Sequence, residues 1–269
     1  MRRSFVVALL ATALVVGVLQ AQEAPRPVTV ASFFKLLPGK GETVMGLFKK
    51  YDQPVLEKLM ADGTIRSWGV ARPWLHTQGD WNIVYWSTTA DIAGQEKVDE
   101  AFSAAEKSRS AEENKKSMEA FVAAEVPDAH RDMLFRHVVY KMGKGPTDKG
   151  GKGYMWLGHY SAKSGKGEDV TAFYNEVTAP VMDKLLADGL IGGYGLMVPV
   201  THVVGGATHT VWYWVDSAGA FDKVQAALRA AREKRSREQN ATLDARAEEI
   251  FQPGTHFDDV LEVAASAGH

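Results

Sequence analysis

The run GKGETVMGLFKKYDQPVLEKLMADGTIRSWGVARPWLH, Gly39 to His76, returns 126 residues later as GKGEDVTAFYNEVTAPVMDKLLADGLIGGYGLMVPVTH, Gly165 to His202. Sixteen of the 38 positions are identical without a gap, among them Pro54/Pro180, Asp62-Gly63/Asp188-Gly189, Gly69/Gly195 and His76/His202. Placing Tyr85-Trp86 over Tyr213-Trp214 then calls for two extra residues in the second copy. The first offset returns with Pro127-x-x-His130-x-Asp132 over Pro253-x-x-His256-x-Asp258. Self-similarity at a fixed offset over most of a chain is the mark of a duplicated structural unit.

Each copy reads in the same order. Val28 to Leu37 and Tyr154 to Lys163 are β-branched and aromatic runs, hence strands. Glu42 to Asp62 and Glu168 to Asp188 carry apolar residues at helical spacing, broken by Pro54 and Pro180 and closed by Gly63 and Gly189. Two strands follow, at 64–74 and 81–87, then 190–201 and 208–215. Alanine-rich, charged helical stretches come next, at 91–124 and 217–250, with breaks near 108–112 and 236–238. A last strand runs over 132–141 and 257–263. The order is βαββαβ twice, the split βαβ or ferredoxin-like unit. The expected fold is therefore α+β: two tandem ferredoxin-like repeats, 28–141 and 154–263, joined by the glycine- and lysine-rich linker 142–153 and forming a pseudo-dimeric α/β barrel within one chain.

The 269 residues contain no cysteine, which removes disulfides, thiol catalysis and thiolate metal sites. A formal net charge of −2 argues against a nucleic-acid-binding surface. Arg2 and Arg3 precede an apolar run from Phe5 to Leu19 and a polar break after Ala21, the pattern of a secretory signal over 1–21. The run is too short to span a bilayer. The expectation is a secreted or periplasmic chain with no membrane attachment once the signal is removed.

A βαββαβ unit with aromatic strands, present twice in an exported chain, resembles the dimeric α/β-barrel superfamily, which includes antibiotic-biosynthesis-monooxygenase-like, NIPSNAP-like and EthD-like domains as well as chlorite dismutases and haem-degrading proteins. The resemblance covers about 28–263 and rests on element order, so it bears on fold more than function. It implies a small-molecule-binding protein, with a cofactor-independent oxygenase or isomerase of the antibiotic-monooxygenase type as the leading form. The competing class is a non-enzymatic periplasmic binding or scaffolding protein.

The repeat selects the candidate residues. His76 and His202 are the candidate acid/base or polarising pair. His130-x-Asp132 and His256-x-Asp258 are secondary candidates, since residues i and i+2 of a strand share a face and the carboxylate can orient the imidazole. Trp68 and Tyr194, beside Gly69 and Gly195, are expected to shape a pocket together with Trp86 and Trp214, one suited to an aromatic ligand. No cofactor is expected. The haem-binding relatives use a helical histidine, and every histidine here falls in a strand or loop. No metal site is expected either. The repeated Gly-Lys-Gly-Glu lacks the Ser/Thr ending of a phosphate loop and places a carboxylate where phosphate would sit. The basic run 229–237 is interleaved with Glu233 and Glu238, as on a solvated helix face. If one copy has lost its pocket while the other keeps it, the copy that keeps it holds the site.

Overall fold

The computed structural model describes residues 26–75, 81–143, 153–201 and 206–268. The expected signal segment 1–21, most of the linker 142–153, and both His76 and His202 lie outside them.

Eight strands close into an antiparallel barrel in the order β4-β1-β3-β2-β8-β5-β7-β6. The strands are β1 (Val28–Phe34), β2 (Ile65–Pro73), β3 (Ile83–Thr89), β4 (Arg131–Met142), β5 (Gly153–Tyr160), β6 (Gly193–Pro199), β7 (His209–Val215) and β8 (Phe257–Gly268). The first four are ordered 4-1-3-2, and the last four repeat that order as 8-5-7-6. Each four-stranded sheet alone would leave two unpaired edges. Here β2 pairs with β8 and β4 with β6, so both edges of one sheet are satisfied by the other.

The ladders settle how the halves correspond. Val28 pairs with Thr89 and Tyr154 with Val215; Gly69 pairs with Trp86 and Gly195 with Trp212. The offset of 126 therefore holds through β3 and β7, and no two-residue insertion exists there. Tyr85-Trp86 corresponds to Val211-Trp212, and Ser87-Thr88 to Tyr213-Trp214. A slip of two residues preserves the inward/outward alternation of a strand, so periodicity alone could not expose it.

Helices cover the outside of the barrel. In the first half these are α1 (Gly41–Leu47), a π-helical turn (Phe48–Asp52), α2 (Gln53–Ala61), α3 (Ile92–Lys107) and α4 (Ala111–Val122). In the second half they are α5 (Gly167–Val177), α6 (Ala179–Ala187), α7 (Gly219–Glu233) and α8 (Arg237–Ile250). Pro54 and Pro180 sit in the first turn of α2 and α6, where a missing N–H costs nothing. Gly63 and Gly189 take the left-handed φ of 78° and 69° that ends those helices. Ser110 and Ser236 accept a hydrogen bond from the third backbone N–H of α4 and α8, which fixes the breaks expected near 108–112 and 236–238.

Three apolar clusters result. One lies under the first-half helices around Phe48, Trp68 and Val70, and one under the second-half helices around Tyr174, Tyr194 and Tyr213. The third fills the barrel axis around Phe135, Trp212, Trp214 and Leu261. Aromatic rings thus occupy both faces of the sheet, as the alternation along the strands implies. Among the described residues no helix is long and apolar enough to cross a membrane.

Candidate functional site

Between the outer face of the first-half sheet and helices α1 to α4 lies a cavity of about 510 Å³. β1 contributes Val30, Ser32 and Phe34, and β3 contributes Tyr85 and Ser87; residues two apart on a strand share the outward face. Val44, Phe48, Asp52 and Leu56 come from the segment α1 to α2, four residues apart and so on one helical face. Gln95, Val98, Asp99 and Phe102 of α3 and Phe121 of α4 close the far side, and Asp132 stands at one end.

Asp52 is the last residue of the π-helical turn, where the N–H of Gln53 reaches back five residues to the carbonyl of Phe48. Such turns are uncommon and concentrate at functional sites. Burial pushes the Asp52 carboxyl from 3.8 up to about 6, with the Arg109 guanidinium pulling the other way. Burial also raises the Tyr85 hydroxyl, and the neighbouring Asp52 charge adds to it. Tyr85 is held by edge contacts to Phe34 at 5.6 Å and a tilted contact to Phe48 at 5.4 Å. Gln95 is immobilised: its Nε2 donates to Thr89 Oγ1 and to the Ser87 carbonyl, both at 3.2 Å, and its Oε1 accepts from Ser87 Oγ. Next to Asp52 in sequence, Tyr51 donates to Glu113, Lys50 pairs with Glu113 at 3.0 Å, and the Arg109 guanidinium lies 4.4 Å over the Tyr51 ring. Among the described residues that line the cavity, none is basic.

The candidate pair His130 and Asp132 is hydrogen-bonded at 3.0 Å and sits at the cavity's edge, where Ser32 Oγ also donates to Asp132. The His130 ring stacks on Phe34 at 4.2 Å. His256 and Asp258 repeat this at 3.0 Å, with the His256 ring stacked on Tyr160 at 4.4 Å. In the second half, however, the indole of Trp156 takes the place of the Ser32 hydroxyl and donates to Asp258 at 3.0 Å.

That indole marks the difference between the halves. Trp156 stands where the first half has Val30, Tyr213 where it has Ser87, Phe221 where it has Gln95, and Thr178 where it has Asp52. The Trp156 ring stacks on Tyr213 at 6.1 Å and meets the edge of Phe221 at 5.6 Å. Three aromatic side chains thus fill the space that stays open in the first half, and the half-buried carboxylate has no counterpart, Thr178 standing in its place.

Trp86 borders the first-half cavity too, and together with Trp68 and Trp214, which do not, it lines a second, smaller cavity of about 90 Å³ on the barrel axis. The space expected beside Gly69 and Gly195 is taken by cross-strand tryptophans: a Cβ on Gly69 would lie 2.2 Å from the Trp86 ring, and one on Gly195 2.6 Å from Trp212 Nε1. Tyr194 lines neither of these two cavities. It is fully buried and donates to Asp183 at 2.6 Å, which Lys141 also binds at 2.6 Å, so it ties β6 to α6. Among the described residues, no cluster of three or more histidine and acidic side chains could hold a metal ion. Asp52, Tyr85, Gln95 and Asp99 were not visible as a group in the sequence. The signal that could have found them is the comparison of the halves at an unbroken offset of 126, where polar or small residues stand against aromatic ones.

No known protein family matches the chain by sequence, and no curated protein does. Solved structures do. A protein of Lactobacillus acidophilus NCFM described as a putative monooxygenase superposes with a TM-score of 0.58 at 8% identity, over 90% of this chain and 96% of that one. A second protein so described, from Fusobacterium nucleatum subsp. nucleatum, gives a TM-score of 0.59 at 9% identity, over 90% and 94%. At these identities the likeness is one of fold, an eight-stranded α/β barrel.

Proposed function

We propose that the chain is an exported, small-molecule-binding protein of the antibiotic-biosynthesis-monooxygenase type, acting as a cofactor-independent oxygenase at the first-half cavity. The observation that carries this reading is the asymmetry of the two halves. One retains an open pocket with a half-buried carboxylate at a π-helical turn, and the other has the same space packed with Trp156, Tyr213 and Phe221. The equal strand order of the halves supports their origin as a tandem pair of ferredoxin-like units. The basic-then-apolar segment 1–21 supports export.

The lining supports an uncharged aromatic substrate. Phe34, Phe48, Phe102 and Phe121 offer ring edges and faces, and the ionisable groups among them are carboxyls and a phenol. An uncharged aromatic molecule with an acidic C–H or O–H fits. A carboxylated or phosphorylated one is repelled by Asp52, Asp99 and Asp132 with no cation inside to offset it. A carboxyl poised near 6 is ionised at neutral pH and basic enough to take a proton from such a group. The resulting substrate carbanion is electron-rich and reduces dioxygen, forming a carbon–oxygen bond. Loss of water from the hydroperoxide leaves a carbonyl, so that R2CH2 and O2 give R2C=O and H2O. Tyr85, whose hydroxyl burial keeps protonated, is the residue we assign to donate to the substrate oxygen, while Gln95 fixes the floor of the cavity through Ser87 and Thr89.

The test is oxygen consumption against a panel of neutral and carboxylated phenols and anthrones, with Asp52→Asn beside the wild type. Turnover of neutral members, lost in Asp52→Asn while binding persists, supports the reading. Proton exchange at the substrate carbon without oxygen uptake would make the protein an isomerase, and absence of binding would leave a scaffold.

A further inference from the structure

The cavity of about 90 Å³ on the barrel axis lies on the opposite face of the sheet from the proposed active site. Eight strands enclose a space that side chains just fill, so a void there has a cause. Thr29, Thr88 and His137 of the first half stand where the second half has Met155, Trp214 and Val263. Hydroxyls and an imidazole thus take the place of apolar bulk on one side of the axis.

The wall leaves part of its polar capacity unused. Nε1 of Trp68, Trp212 and Trp214, Nδ1 of His137 and Nε2 of His159 are buried without a hydrogen-bond partner. Buried indole N–H groups ordinarily find one. Two of these side chains come together: the His137 and Trp212 ring centroids are 5.9 Å apart, and both rings also meet Tyr140, at 4.9 and 5.7 Å. The Tyr140 hydroxyl is already committed to Ser67. His137 is fixed from its far side, where Nε2 bonds Thr29 Oγ1 at 2.7 Å and that hydroxyl bonds Thr88 Oγ1 at 2.7 Å. The Val139 backbone, at a bulge of β4, acts on the imidazole but closes no hydrogen bond on Nδ1. Burial keeps the ring neutral, its pKa lowered to about 3.

An indole N–H only donates, and a neutral imidazole nitrogen donates or accepts according to its tautomer. A guest hydroxyl answers both in either tautomer, whereas a carbonyl does so only when Nδ1 carries the proton. The rest of the wall suits an apolar body, with Phe135, Met142, Met155, Leu157, Met197 and Leu261 around it. Among the described residues that line the void there is no lysine, arginine, aspartate or glutamate, so an ion would be buried without an opposite charge. The volume equals about three water molecules at roughly 30 Å³ each, and such a cluster needs two to four polar partners per molecule. One organic molecule smaller than a phenol fills it with fewer.

We infer that the axial cavity is a second binding site, for a small uncharged alcohol whose hydroxyl sits at Trp212 Nε1 and His137 Nδ1 and whose apolar body lies against the methionines. The inference is independent of the oxygenase reading.

Methionine-methyl NMR of the full chain reads the site in solution, since Met142, Met155 and Met197 line it. The probes are 2-propanol and 2-propanethiol, whose sulfur is only a weak donor and acceptor. Titration with 2-propanol is expected to shift these three methyls saturably. Trp212→Phe should weaken the alcohol about fivefold, the worth of one hydrogen bond, and leave the thiol unchanged. His137→Val, copying Val263, makes the same comparison should that variant fail to fold. Ala31→Leu, which copies Leu157 and fills the void, should abolish binding of both probes, and valine is the milder filling should leucine fail to fold. A crystal of the alcohol complex should place the hydroxyl within hydrogen-bond distance of Trp212 Nε1 and His137 Nδ1. No saturable shift in the wild type, a Trp212→Phe effect equal for the two probes, or ordered water that the alcohol does not displace overturns the inference. A peak in the crystal without the shift in solution is binding at crystal concentration only, and overturns it as well.

Discussion

Asp52→Asn is expected to stabilise the protein at neutral pH while removing its proposed base. In the unfolded chain Asp52 titrates at its ordinary 3.8, and in the folded chain burial pushes it to about 6. Between those values the folded state binds more protons than the unfolded one. Stability from this group is therefore fully present below 3.8 and is lost as pH rises through about 6. The gap corresponds to about 3 kcal/mol at pH 7, reduced to about 2 kcal/mol because a pocket open to water screens the charge. Asparagine carries no charge to desolvate, so the variant should gain roughly that amount at pH 7, or about 4–8 °C in Tm for a chain of this size. The assay is urea denaturation of both proteins at several pH values, read as the difference between them. Taking the difference matters because His137, whose pKa burial lowers to about 3, runs the other way and destabilises the fold as pH falls below 6.5. That contribution is common to both proteins and cancels. The advantage of the variant should shrink from about 2 kcal/mol at pH 7 to near zero below pH 4. An asparagine variant less stable than wild type at pH 7, or a difference independent of pH, would refute the claim that Asp52 is held desolvated in the pocket. Stability gained on removing a functional charge is a known trade-off at active sites.

Other outcomes follow from the same geometry. Val30→Trp copies Trp156 and should occlude the first-half cavity: ligand binding is lost by calorimetry while the circular dichroism spectrum is kept. The mirror change Trp156→Val empties packed space beside Tyr213 and Phe221 and should cost about 3 kcal/mol in urea denaturation. A methyl on Gly69 first meets the Trp86 ring, whereas one on Gly195 would lie 2.3 Å from the Val139 carbonyl as well as against Trp212. Gly195→Ala should therefore destabilise more than Gly69→Ala, each by about 1–3 kcal/mol on the same assay; equal losses would show that the backbone yields. For the oxygenase, the acid limb of the wild-type kcat/KM profile should fall near pH 6.

Much of the architecture is legible in the residues because local signals agree with the fold at each step. Pro54 and Pro180 restart helices, Gly63 and Gly189 end them, and Ser110 and Ser236 cap the next ones. The likeness of Tyr85-Trp86 to Tyr213-Trp214 misleads, since both pairs alternate in phase and only hydrogen-bond register separates offsets of 126 and 128. The site was harder to read. The His-x-Asp pairs are found by strand periodicity, and both form the expected hydrogen bond at 3.0 Å. Asp52, Gln95 and Asp99 occupy three turns of two helices and look like ordinary polar positions. Their burial depends on what the sheet beneath them carries, valine and serine in one half, tryptophan and tyrosine in the other. That is a tertiary fact, and no single segment contains it. Trp68 and Tyr194 share a sequence position but part company in role, because Tyr194 has a hydroxyl and finds Asp183.

The most direct test of the account is the stoichiometry and location of a bound neutral aromatic ligand. Calorimetric titration of the full chain with a phenolic probe, followed by a crystal structure of the complex, measures both. The expected result is one molecule per chain, seated against Phe34, Phe48 and Tyr85 within reach of Asp52, with no binding to Val30→Trp. Two equivalent molecules per chain, a ligand seated between α5 and the second-half sheet, or undiminished binding by Val30→Trp would contradict it.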